Sequence, residues 1–105
     1  MTKGIRFDLW ATHQKLEPTA QAVTAALGLS LVQRESDDRG FYFGTPIGSA
    51  VEVVVQKNYP DDEVEALESA FADYPTLVYV NPSSDAIETA LASLDLLELV
   101  RSEVL

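Results

Sequence analysis

His13, Asp8 and the acidic run Asp61-Asp62-Glu63 with Glu65 are the side chains of this 105-residue sequence whose types could support chemistry. Nucleophilic catalysis needs a base beside the nucleophile. The single histidine stands in a polar stretch after a strand-like segment, where a lone imidazole reads as solvated surface. Gly48-Ser49 is preceded by Pro46-Ile47 and followed by Ala50, so it forms no nucleophile elbow. The glycines Gly4, Gly28, Gly40, Gly44 and Gly48 stand singly, which gives no phosphate-cradling loop. Zinc favours His and Cys ligands, and the chain has one of the former and none of the latter. The run from Asp61 to Glu65 lacks the alternating ligands and central glycine of a calcium loop, and suits the solvated first turn of a helix. Asp8 is the best single candidate for acid–base work, since a strand residue can point into a cleft. Its alternation with Phe7 and Leu9 argues instead for an outward side chain. The expectation is therefore no catalytic constellation, no metal site and no cofactor.

The charge distribution says more. The formal net charge is -10. Residues 1–57 are balanced: Lys3, Arg6, Lys15, Arg34, Arg39 and Lys57 offset Asp8, Glu17, Glu35, Asp37, Asp38 and Glu52. Residues 58–100 contain no Lys or Arg and carry Asp61, Asp62, Glu63, Glu65, Glu68, Asp73, Asp85, Glu88, Asp95 and Glu98. The whole excess thus sits in one block. Such a block repels nucleic acid and anionic membrane and attracts basic partners, while solubility alone is the competing explanation. With 0 cysteines, disulfides and thiolate metal sites are excluded. No stretch approaches the ~20 apolar residues of a membrane span. No apolar leader precedes the first strand-like pattern, so the expectation is a bacterial-type cytoplasmic protein of one domain, residues 1–105.

The elements that must position these groups follow from periodicity. Ile5, Phe7 and Leu9 alternate with Arg6, Asp8 and Trp10 as a half-buried strand. Pro18 suits a first helical turn, Ala20, Val23 and Leu27 keep helical spacing, and Gly28 suits the helix end. Strands are expected over 29–35, 41–43 and 50–57, the last carrying Val51, Val53, Val54 and Val55. Val64, Leu67 and Phe71 predict a helix over about 61–72. A strand over 76–80 follows, then a turn through Asn81-Pro82-Ser83-Ser84 with a ready N-cap. Next come a helix with Ile87, Leu91 and Leu94 facing inward and a last strand over 96–105. The predicted order is β-α-β-β-β-α-β-α-β: an α+β fold with a mixed, mainly antiparallel sheet, helices on one face and ferredoxin-like β-α-β units. Residues 5–35 and 77–103 echo one another at this level.

On a helical wheel Asp62, Glu65 and Glu68 lie away from the apolar face of the 61–72 segment. Trp10, Tyr42, Tyr59 and Tyr74 occupy turn-adjacent positions, and Tyr and Trp are common interface anchors. The candidate partner-binding set is Asp61, Asp62, Glu65, Glu68, Tyr59, Tyr42 and Trp10. In size, charge and lack of cysteine the chain resembles the immunity proteins of bacterial toxin systems, a likeness that carries no shared motif and implies a non-enzymatic inhibitor of a basic protein. The stretches Arg34-Glu35-Ser36-Asp37, Gly40-Phe41-Tyr42-Phe43 and Tyr74-Pro75-Thr76-Leu77-Val78-Tyr79-Val80-Asn81 resemble a group of small bacterial proteins without known activity. The opening order strand-helix-strand-strand-strand is similar to the module of the glyoxalase and bleomycin-resistance superfamily. That likeness implies a small-ligand binder; His13 alone cannot supply the His and Glu ligands of its catalytic members. A homodimer or structural oligomer is the third expectation.

Overall fold

The computed structural model describes residues 5–36, 40–59 and 65–104. Strand β1 (Arg6–Thr12) leads through a short bend into helix α1 (Leu16–Leu27). Ala20 and Val23 of α1 are buried, and Leu27 packs against the same cluster, as the spacing predicts. Gly28 ends the helix in the left-handed region at φ 64°, its N–H donating to Thr24 O at 2.9 Å. Three strands follow: β2 (Val32–Ser36), β3 (Gly40–Gly44) and β4 (Glu52–Lys57). β5 (Thr76–Asn81), α2 (Asp85–Ala92) and β6 (Glu98–Val104) complete the order. Ser84 caps α2 by accepting from Ile87 N–H, and Leu91 is fully buried beneath the helix.

The six strands form one sheet in the order β2-β3-β4-β5-β1-β6. Each of its five adjacent pairs is antiparallel, so the expected mixed sheet is corrected. β1 and β2, joined by α1, run parallel but are separated by three strands. β5 and β6, joined by α2, run parallel on either side of β1. The crossovers therefore skip intervening strands, and no parallel ladder forms.

The predicted 61–72 helix begins outside the described residues. Over 65–72 the chain forms only one 3-10 turn, Ser69–Phe71. The cause is Asn58, which is fully buried. Its Nδ2 donates to Phe71 O and Tyr74 O, both at 2.9 Å, and its Oδ1 accepts from Glu68 N–H at 2.9 Å. Its carbonyl accepts from Leu67 N–H at 2.8 Å. The Leu67 and Glu68 N–H groups, which an α-helix over 61–72 would pair internally, are taken by the Asn58 carbonyl and side chain. Leu67, expected to face inward, is exposed.

Two apolar clusters lie on opposite sheet faces. Under both helices, Trp10, Val53, Val55, Val78 and Val80 meet Leu16, Ala20, Val23 and Leu91. Burying each aliphatic side chain contributes about 1.5–3 kcal/mol before chain entropy is counted. On the helix-free face Leu9, Ala11 and Leu77 are buried, with Phe71, Tyr74, Tyr79 and Val100 packed against them. The register of β1 with β6 shifts between Leu9 and Trp10, leaving Val100 as an extra residue on β6. Leu99 packs on the helix-side cluster and Val100 on the other, and the bulge leaves Arg101, opposite Leu9, on the same helix-free side as Val100.

Candidate functional site

Strand alternation and pairing assemble a hollow of about 490 Å³ on the helix-free face. β4 contributes Glu52, Val54 and Gln56; β5 contributes Tyr79 and Asn81. β1 supplies Phe7 and Leu9, and β6 supplies Arg101 and Glu103. These residues share a face because cross-strand partners do: Val54 pairs with Tyr79, Leu9 with Tyr79 and Arg101, and Phe7 with Glu103. The floor is apolar where Leu9 and Val54 lie, while Glu52 and Glu103 stand exposed at the rim. A hollow of this volume falls within the range that accepts a small ligand or a partner's side chain.

Arg101 is the cation of this hollow. Its Nη2 donates to Glu68 Oε1 at 2.8 Å and its Nη1 to Glu68 Oε2 at 3.3 Å, a two-point contact. Glu103 lies 3.8 Å from Nε. Tyr79 Oη donates to Glu68 Oε1 at 3.1 Å. Arg101 is held above its ordinary pKa chiefly by the hydrogen bond it donates to Glu68, against the opposing effect of burial. Glu68 and Glu103 thus flank the guanidinium, and Glu52 lines the same hollow from β4 without an ion-pair contact to it, so acids outnumber the cation here.

A second polar cluster sits on the helix side. Asp8 is buried, not outward as its alternation suggested. It accepts from Ser83 Oγ and Ser102 Oγ, both at 2.6 Å, and from Arg6 Nε at 3.0 Å. Arg6 also donates to Asp85 at 3.1 Å and to Glu88 on α2. Burial pushes the Asp8 carboxyl up, but Ser102, Ser83 and Arg6 together outweigh it and hold the pKa below the usual aspartate value. The Arg6 guanidinium is held high first by Glu88. Every Asp8 partner is part of the fold, so this carboxylate ties β1 to β6 and to the turn before α2. His13 lies past the far end of β1 and stacks on Tyr74 at 4.6 Å, and Tyr74 Oη donates to Glu98. That bond, with burial behind it, raises the Tyr74 pKa.

The seven residues expected at a partner surface do not form one patch. Trp10 is a core residue at 2% exposure, and this corrects its place in the set: the helix-side cluster needs its ring as filling. Asp61 and Asp62 lie outside the described residues. Glu65 is exposed, and Glu68 is engaged with Arg101 and Tyr79. Tyr42 shares the helix-free face, opposite Gln56. Tyr59 donates from its hydroxyl to Ala72 O at 2.8 Å and lines a different groove, beside α1. The acidic block is also divided. Glu68 lies on the helix-free face, whereas Asp85 and Glu88 ride on α2 across the sheet and bond Arg6. Sequence reasoning missed Glu52, Gln56, Tyr79, Arg101 and Glu103. Period-two alternation could have grouped Glu52 with Gln56 and Arg101 with Glu103, but it could not say that β4 and β6 border one hollow.

Among the described residues, no three His, Asp or Glu side chains converge as a cation site. No described helix is long and apolar enough to cross a membrane. No protein-family model matches the chain, and no curated protein sequence matches it.

Proposed function

We propose that this chain is a non-enzymatic acidic binding module that engages a basic protein partner through the helix-free face of its sheet, in an inhibitor or immunity-type role. The observation that carries this reading is the acid excess at the hollow: Glu52 and Glu103 line it over an apolar floor, and its one lysine or arginine among the described residues, Arg101, is already bonded to Glu68. A partner's lysine or arginine entering there would meet the exposed rim carboxylates of Glu52 and of Glu103, the latter held, among the described residues, only by its long contact with Arg101. Its stem would lie on Leu9, Val54 and Tyr79, where an aromatic face adds cation–π attraction. Complementary charge of this kind raises association rates and selects against acidic partners. The reading places the chain in the cytoplasm. It also takes β4-β5-β1-β6 with α1 and α2 as a ferredoxin-like unit, widened at one edge by the β2–β3 hairpin inserted after α1.

The test uses an arginine-rich peptide as probe, followed by amide chemical shifts at low salt. Shifts should concentrate at Glu52, Tyr79 and Glu103. The double variant Glu52→Gln, Glu103→Gln should weaken binding about tenfold, the loss of one or two charge-assisted bonds. Raising salt from about 0.05 to about 0.5 M should weaken wild-type binding and leave the variant little changed. Shifts spread over α2 instead, or equal affinity in the double variant, would remove this face from the reading.

A further inference from the structure

The sheet's helix side is not covered evenly. α1 packs on β4 and α2. The β2–β3 hairpin extends the sheet beyond them and leaves a groove between itself and α1. At one end, a hollow of about 820 Å³ holds Lys15, Lys57, Phe41 and Tyr59. It continues past Phe43 and Gln33 into a cleft of about 530 Å³ along α1, where Ala20, Ala25 and Leu31 share the walls with Glu17, Gln21 and Thr24. Phe41 is 46% exposed, a large apolar side chain left to water at the groove mouth.

The charge at that mouth runs against the rest of the molecule. The chain has seven Lys and Arg side chains against seventeen acids, and two of the seven meet here. Among the described residues, neither Lys15 nor Lys57 has a carboxylate within ion-pair distance. Among the described residues, Glu17 is the acid of this lining and of the cleft behind it, so two lysines to one carboxylate leave the mouth with a positive balance. The small residues Ala20 and Ala25 on α1 are what keep the cleft open behind it. Two lysines at the mouth and an apolar path over Phe43, Ala20, Ala25 and Leu31 together match one ligand chemistry, an anionic head on an alkyl chain.

We propose that the groove between α1 and the β2–β3 hairpin binds a medium-chain alkyl carboxylate, its head at Lys15 and Lys57 and its chain along Phe43 toward Leu31. This site lies on the opposite sheet face from the acid-rimmed hollow and does not depend on it. The apolar chain supplies burial, and the lysines select anion over neutral or cation.

Calorimetric titration with decanoate, decan-1-ol and decyltrimethylammonium, each kept below micelle formation, tests the idea. Decanoate should bind, with amide shifts at Gln33, Phe41 and Lys57, and the cation should not. Lys57→Gln should weaken decanoate about tenfold without changing decanol. Ala25→Trp, at an exposed helix position, should block the cleft and abolish both. Equal binding of decanoate and the cation would overturn the proposal, as would unchanged affinity in both variants. So would light scattering that shows a ligand-free dimer with this groove buried between copies.

Discussion

A carboxylate taken out of water stays ionised only if its neighbours replace the lost hydration, and Asp8 has three that do. Two serine hydroxyls and a guanidinium donate to it, and its side chain is fully buried. Replacing the carboxylate with an amide leaves Arg6 with Asp85, Glu88 and Ser102, and leaves one of the two serine hydroxyls facing an NH2 group where it had an acceptor. Asp8→Asn should therefore cost on the order of 3 kcal/mol in denaturant unfolding. Asp85→Asn, which removes a fully solvated partner of the same arginine, should change nothing measurable. The pH dependence has a definite sign. The folded-state pKa of Asp8 is depressed, so its contribution is complete above the unfolded aspartate value near ~4 and fades as pH falls through the lower folded value. The stability gap between wild type and Asp8→Asn should be constant at neutral pH and close only in acid. A gap that widens as pH falls would contradict the network. The sequence pointed to Asp8 but gave the wrong orientation. Its partners Ser83 and Ser102 are 75 and 94 residues away, beyond the reach of any local pattern.

At the scale of elements, local signals were sufficient wherever the competing partner was also local. α1 has its apolar spacing and its terminal Gly28, α2 has Ser84 and Leu91, and β4 has its valine run; each forms about where those residues predict. The segment after β4 shows the limit. Val64, Leu67 and Phe71 keep helical spacing, yet over 65–72 the chain forms only a 3-10 turn, because Asn58 claims its backbone groups. Nothing in the string marks Asn58 as buried, since its position depends on β4 ending beside Pro75, whose carbonyl accepts from Asn58 N–H at 2.8 Å. Asn58→Ala removes three side-chain bonds and should cost about 2–3 kcal/mol, less than the full sum because part of the segment can rehydrate. Amide hydrogen exchange should accelerate at Leu67, Glu68 and Phe71, with α1 and β4 still protected. Exchange that stays slow there would mean the segment is held by Phe71 packing instead. The same local-versus-distant division explains the sheet. Alternation identifies strands, but the insertion of β5 between β4 and β1, which makes every ladder antiparallel, is a tertiary choice.

At the scale of the whole molecule, two electrostatic effects of opposite sign compete. The short contacts of Arg6 with Asp8 and of Arg101 with Glu68 stabilise, and added salt weakens them only slightly because their separations are far below the Debye length of ~10 Å at 0.1 M. The remaining acids repel over longer distances, which salt screens well. Their excess is large, with a net charge of -10, and they lie on both faces of the sheet, so the repulsion is spread across the molecule. Long-range repulsion is the term that salt removes, so stability should rise with salt. Between about 0.01 and about 0.3 M sodium chloride the melting temperature should climb by roughly 3–6 °C, equivalent to somewhat under 1 kcal/mol for a domain of this size. Trp10, the single tryptophan, reports the transition directly, since its buried ring should shift to red emission on unfolding. The double variant Glu52→Gln, Glu103→Gln removes two like charges from the same sheet face, on β4 and β6, and should melt higher than wild type at the lowest salt, where screening is weakest. That difference should shrink as salt is added. A melting temperature that falls with salt would show that the ion pairs outweigh the repulsion, and that the carboxylates around Arg101 are balanced and not in excess.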